Sequence, residues 1–284
     1  MTARLLVCAV ALSSLTAAGD RPIEISAHAR SIRPGELVVL TIVPPAASDP
    51  VRIRAFDRDI PAFRVGDRTW QALVGIDLDV RPGTYAVNAT SGAAHAVYEL
   101  VVERRTFPTR RLTVDQAFVT PPKSEQPRIE REAALLAETW KTPANERLWS
   151  GAFVRPVAEP ANSAFGTRSI FNGKPRNAHS GADFLSPAGT PVHAPNAGRV
   201  VVARPLYFSG NTVIIDHGLG LFSMLAHLSV IDVHEGERLS ANQVVGKVGA
   251  TGRVTGPHLH WTVRAADARV DPLSLLAVLG PASP

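Results

Sequence analysis

The chain has one cysteine, Cys8, among its 284 residues. Without a second thiol there can be no internal disulfide and no cysteine-rich metal cluster. Lysine is nearly as scarce, occurring only at Lys123, Lys141, Lys174 and Lys247, so the formal charge of +5 rests on arginine. That charge suits an acidic partner such as nucleic acid, an anionic membrane surface or an anionic wall polymer. An arginine-rich, alanine-rich composition also follows from genomic base composition alone. Several common site signatures are missing as well. Gly246-Lys247 is followed by Val248, so there is no phosphate-binding loop, and no G-x-S-x-G nucleophile elbow occurs. "HEGER", starting at His234, ends in Arg238 rather than a second histidine, which excludes an H-E-x-x-H zinc helix.

What is present begins with an export signal. "MTARLLVCAVALSSLTAA" has a positive charge at Arg4, an apolar stretch from Leu5 to Leu15 and small residues at Ala17 and Ala18, the three-part pattern of a secretory signal peptide over residues 1–18. The apolar stretch is too short to span a membrane as a mature helix, so no stable insertion is expected after its removal. Cys8 follows Val7, where lipoprotein cleavage requires a small residue, which argues against lipidation. The mature chain then has no cysteine, which suits an oxidising compartment and removes every thiolate mechanism. The expected location is the periplasm or cell envelope, or the medium outside the cell.

The pattern of the remaining chain predicts a mostly β protein in three parts. In residues 19–107, "VRIRAF" (Val51 to Phe56), "TYAVNAT" (Thr84 to Thr90) and "AVYELVVE" (Ala96 to Glu103) alternate apolar with polar residues. Arg33-Pro34-Gly35 and Arg81-Pro82-Gly83 punctuate them as turns, and together they predict a small Ig-like β-sandwich. Residues 108–147 read as a linker with an amphipathic helix, Arg128 to Lys141. Ile129, Ala133, Leu136 and Trp140 form its apolar face, Pro127 introduces it, and Glu130 and Glu132 fall in its first turn. That face predicts docking on one of the flanking domains. Residues 148–284 contain short β runs such as "TPVHAP", "GRVVVA", "NTVIIDH", "VVGKVG" and "HLHWTV", which predict a compact antiparallel sheet.

This last part holds seven of the nine histidines. "GPHLHW" sets His258 and His260 two residues apart, and a strand places residues i and i+2 on one face, where two imidazoles can address one point. Upstream, "NAHSGADF" supplies His179 and Asp183. Two histidines and one aspartate leave a fourth position open, as in a catalytic rather than a structural zinc site. The blocks "HSGADF", "GTPVHAPNAGRVV", "GNTVIIDHGLG", "AHLS" and "GATGRVTGPHLHWTV" resemble, in order, the lysostaphin-type (LytM-domain) zinc metalloendopeptidases that cut peptide cross-links of bacterial cell walls. The resemblance covers roughly Phe165 to Pro272.

It implies zinc held by His179, Asp183 and His260, with catalytic roles for His227 and His258. It also implies peptidoglycan as the partner, rather than nucleic acid, and hydrolysis of an amide bond in stem peptides or cross-links. Zinc in such a site activates water and polarises the scissile carbonyl, while an imidazole accepts the proton or stabilises the oxyanion. The sequence leaves open which histidine does which. A second reading is a non-catalytic wall-binding regulator that activates a separate hydrolase, as degenerate relatives do; the complete ligand set favours the enzyme. One departure from the family pattern is Leu225, where a tyrosine usually stands two residues before the "AHLS" histidine. His217 is expected to be structural, His193 and His234 to lie in turns, and His28 and His95 to be ordinary strand residues.

Overall fold

"LVVLTIV", the strand Leu37–Val43, is apolar at nearly every position, and the structure buries both of its faces. The computed structural model describes residues 7–8, 22–47, 49–113, 120–161 and 165–281. The predicted signal peptide lies outside these, except for Val7–Cys8, which pair antiparallel with Ala27 and His28.

On one face, Val38, Leu40 and Ile42 enter a core shared with Ile53, Val87 and Leu100. That core lies between two antiparallel sheets. The first runs in the order Val7–Cys8, Glu24–Ala29, Leu37–Val43, Trp70–Gly75, Ala62–Arg64, and the second in the order Arg58–Ile60, Val51–Ala55, Gly83–Ser91, Ala94–Val102. In Val51–Ala55 the alternation is strict: Val51, Ile53 and Ala55 are buried while Arg52 and Arg54 are exposed, as a half-buried sandwich strand requires.

On the other face, Leu37, Val39 and Leu73 join the core of the C-terminal half, with Val270 and Leu275. A cluster of four charges borders this junction. Arg30 Nη2 lies 2.6 Å from Glu36 Oε1 and 2.7 Å from Asp271 Oδ2, while Arg105 lies 3.1 Å from the first carboxylate and 3.5 Å from the second. Asp271 also accepts the Leu273 N–H, capping the helix Pro272–Leu279.

The connecting segment differs from expectation in three respects. Thr109–Leu112 forms a strand parallel to Arg168–Phe171, which its four exposed residues do not announce. The helix runs from Gln126 to Lys141, so Pro127 lies inside its first turn and Glu130 and Glu132 lie beyond it. Leu136 and Trp140 dock on Val202, Ile214 and Phe222 of the C-terminal sheet, with Trp140 edge-on to Phe222 at 5.4 Å. Ala133 is exposed instead. Glu132 takes an inward place, accepting the Tyr207 N–H at 2.7 Å.

The C-terminal sheet runs antiparallel in the order Gly181–Phe184, Leu259–Ala265, Leu221–Ile231, Gly210–Gly218, Gly198–Leu206, Arg238–Leu239. Pro191–His193, Val244–Val248 and Ala268–Val270 pair along its margins. One face is packed by Phe184, Leu225, Leu259 and Trp261, all fully buried. Among the described residues no helix is long and apolar enough to cross a membrane.

Candidate metal centre

The site is assembled by strand register. Asp183 stands directly opposite His260, and Ala226 stands opposite His260 on the other side. Directly opposed residues share a face of the sheet, so Asp183 and His260 project away from the core face of Trp261 and Leu259. His258, two residues before His260, projects the same way. Gly181 permits this approach, because a Cβ there would lie 2.4 Å from the Trp261 carbonyl and 2.8 Å from the His260 ring.

His227 reaches the same face by a local irregularity. Leu225 pairs with Val213 and Leu228 with Asn211, so Ala226 and His227 together oppose Thr212 in a bulge. Regular alternation from Ala226 would aim His227 at the core. A left-handed backbone (φ 66°) at His227 turns the ring to the site side instead, and the Ser209 carbonyl holds its N–H at 2.8 Å. Such a conformation is uncommon for a residue other than glycine and costs on the order of 1 kcal/mol. Leu225, one residue before the bulge, is fully buried in the core. The position where the family usually carries tyrosine therefore faces away from the site in this chain.

Three donor atoms converge. Asp183 Oδ1 lies 3.0 Å from His179 Nε2 and 2.8 Å from His260 Nδ1, and these two nitrogens are 3.1 Å apart. Among the described residues, His179, Asp183 and His260 form a group able to hold a metal ion. Their side chains are 16–23% exposed, so the cluster is open to solvent. Burial alone would raise the Asp183 pKa, but hydrogen bonds from His179 and His260 override it and hold the carboxyl well below its usual range. Burial pushes the His260 imidazole down. An ionised carboxylate and a neutral imidazole are the forms that bind a cation.

The surrounding hydrogen bonds fix how each ring is presented. His227 Nδ1 lies 2.9 Å from the Thr251 carbonyl and His258 Nδ1 lies 2.9 Å from the Gly256 carbonyl. A carbonyl only accepts, so each Nδ1 carries the proton and each Nε2 is left for the site. His258 Nε2 lies 3.9 Å from Asp183 Oδ1, against 2.8 Å for His260 Nδ1. The rings of His227 and His258 are 4.9 Å apart. His260 Nε2 meets Thr262 Oγ1 at 2.9 Å, which leaves Nδ1 to face the cluster. All five residues singled out in the sequence are thus brought together.

His217 lies outside the cluster and is fully buried within Gly210–Gly218. Trp261 Nε1–H donates to Ser223 Oγ at 3.1 Å, that hydroxyl donates to His217 Nε2 at 3.0 Å, and His217 Nδ1–H donates to the Ala197 carbonyl at 2.8 Å. This chain ties the strand bearing His260 to its neighbours. His193 ends the strand Pro191–His193 rather than occupying a turn. His234 lies outside the strands, its ring 2.9 Å from Glu237.

Burial pushes the His217 pKa down to about 4 from 6.5. The unfolded chain therefore binds a proton that the native state refuses as pH falls between these values. This stability term is intact above pH 6.5 and is lost towards pH 4, to the extent of about 3 kcal/mol. In urea unfolding, His217→Gln is expected to be weaker than wild type at pH 7, with the gap narrowing at pH 5. A gap independent of pH would show that His217 does not titrate in this way.

Residues 177–272 match the model of peptidase family M23. A crystal structure from Pseudomonas aeruginosa, assigned to peptidase M23, is 33% identical, with a TM-score of 0.71 over 87% of this chain and 96% of that one. The chain belongs to peptidase family M23. It is also 47% identical over 83 residues to peptidoglycan DD-endopeptidase ShyA of Vibrio cholerae, a match covering 29% of this chain and 19% of the relative. Over 97 residues it is 40% identical to DD-carboxypeptidase/endopeptidase Mpg of Neisseria meningitidis, covering 34% and 22% respectively. The chain thus spans about a fifth of the length of these curated relatives.

Thr262 and the carbonyls of Thr251 and Gly256 were not anticipated. Thr262 continues the two-residue period of His258 and His260, so H-x-H-x-T carried the signal for it. Nothing in the sequence marks a carbonyl as a ring anchor.

Proposed function

We propose that the chain is an exported zinc metalloendopeptidase that hydrolyses amide bonds in peptidoglycan stem peptides or cross-links. The observation that carries this reading is the convergence of His179 Nε2, Asp183 Oδ1 and His260 Nδ1 within 3.1 Å, with two further imidazoles beside them. Two nitrogens and one carboxylate oxygen make a donor set that zinc accepts while keeping a position open. A zinc ion bound there supplies a Lewis acid that polarises an amide carbonyl and acidifies water.

The chain's own residues do the rest. At Nε2, one of His227 and His258 accepts the proton of the attacking water. The other, carrying a proton at Nε2, donates a hydrogen bond to the carbonyl oxygen as charge develops on it. The Thr251 and Gly256 carbonyls hold both rings in the required orientation. Relatives named as peptidoglycan DD-endopeptidases support the wall polymer as substrate. The amino-terminal pattern of charge, apolar run and small residues supports export to the envelope.

Digestion of purified sacculi by the full chain, with fragments read by mass spectrometry, is the test. Muropeptide release is expected to stop with chelator and return with added zinc. Release at an unchanged rate in chelator would exclude the metal mechanism.

A further inference from the structure

Of the three donor residues, Asp183 and His260 stand on paired strands, Gly181–Phe184 and Leu259–Ala265. His179 stands on neither strand nor helix, in the irregular stretch 176–180 that leads into Gly181. Strand register therefore does not place its imidazole. Its main chain is instead held at both polar groups: the carbonyl accepts the Gly166 N–H at 2.7 Å, and the N–H donates to the Thr167 carbonyl at 2.9 Å.

What fixes residues 166 and 167 comes from the amino-terminal half. Phe165, next to Gly166, is buried, and its ring packs on Gly35 of the sandwich so closely that a Cβ at Gly35 would collide with it. Phe107, beyond the last sandwich strand, lies on Gly166 in the same manner and meets Phe165 edge-on at 6.3 Å. The Arg105 guanidinium covers both rings, 4.9 Å from Phe107 and 5.9 Å from Phe165. Arg105 Nη1 donates to the Pro34 carbonyl and to Glu36 Oε1, each at 3.1 Å. The Arg168 N–H donates to the Pro108 carbonyl at 2.8 Å, adding a main-chain tie beside the rings.

We propose that Phe165 and Phe107, clamped between Gly35 and Arg105, are positioning residues for the metal donor His179, so that the amino-terminal half helps to build the metal centre. The proposal rests on the reading of His179 as a metal ligand. All four clamp residues stand outside residues 177–272, the segment that matches the M23 family. A donor works only when its support holds it in place, and loss of such support typically weakens metal binding about ten- to a hundred-fold.

The test is the zinc affinity of the full chain, read by competition with a chelating dye. Phe107→Ala is expected to bind zinc roughly ten-fold more weakly than wild type, with Phe107→Tyr, which keeps the ring, close to wild type. Ile53→Val is the control: it loosens the sandwich core, in which Ile53 is buried, without touching the clamp, and is expected to keep wild-type affinity. A merely structural role for Phe107 would place its variant with this control. Wild-type zinc affinity in Phe107→Ala overturns the proposal.

If Phe107→Ala does not fold, amide hydrogen exchange of the wild-type protein in chelator decides. The Gly166 and His179 N–H groups are expected to exchange within about ten-fold of the Asp271 N–H, which donates to the Gly35 carbonyl at the same clamp. Faster exchange overturns the proposal. Protected amides in a wild-type protein that binds no zinc would leave the clamp standing and remove the metal reading. Zinc bound equally tightly by wild type and Phe107→Ala would do the reverse.

Discussion

His260→Ala is expected to lose bound metal and hydrolytic activity together, whereas His258→Ala keeps the metal and loses activity. His260 Nδ1 stands 2.8 Å from Asp183 Oδ1 and 3.1 Å from His179 Nε2, inside the donor cluster, while His258 Nε2 stands 3.9 Å from the same carboxylate. Removing the first deletes one of three protein donors. Removing the second deletes a ring fixed by the Gly256 carbonyl for proton transfer or oxyanion contact, worth roughly two to four orders of magnitude in rate. Metal analysis of both purified variants, alongside sacculus digestion, checks the pair. Zinc missing from the His258 variant but retained by the His260 variant would exchange the two assignments.

That His258 and His260 share a site was legible because strand periodicity is a strong local constraint, whereas the division between ligand and neighbour came from the family resemblance. An H-x-H pair on one strand must share a face, and the antiparallel partner then brings Asp183 into register beside His260. His227 was assigned only through resemblance. Its own strand alternation aims it at the core, and the bulge with a left-handed residue that corrects this leaves no mark in composition. Leu225 shows the converse: this departure from the family pattern, two residues from a site histidine in sequence, belongs to the core.

The sandwich was legible for the same reason, with Val51–Ala55 alternating cleanly. The junction between the two halves was not. "LVVLTIV" carries the signal, since an unbroken apolar run marks a strand covered on both faces, but nothing local to it names the second covering surface. That surface comes from Val270 and Leu275, more than two hundred residues away. The strand Thr109–Leu112 is a similar case, since its pairing is made by main-chain groups and its side chains are all exposed. The helix was found, but its inward face was misjudged at Ala133 and Glu132, because the carboxylate is drawn in by the Tyr207 N–H rather than by apolar packing.

The junction supports the second large prediction. Glu36 and Asp271 are only 3% and 6% exposed at their side chains, and each is shared by Arg30 and Arg105. Glu36 belongs to the amino-terminal half and Asp271 to the carboxy-terminal half, so the two arginines hold both halves through one four-charge cluster. Removing one carboxylate leaves two guanidiniums short of a buried partner, which costs about 3–5 kcal/mol, whereas isosteric replacement of a whole buried ion cluster by apolar residues is often neutral. Glu36→Ala is therefore expected to lower the unfolding free energy by about that amount. Arg33→Ala, which removes an exposed pair with Glu103, should cost under about 1 kcal/mol. Urea unfolding of both variants at pH 7 gives the comparison. Because the cluster borders the surface where Leu37 and Val39 meet the C-terminal core, the Glu36 variant should also be nicked faster by protease between the halves. If its unfolding midpoint matched wild type, the cluster would not be what joins them.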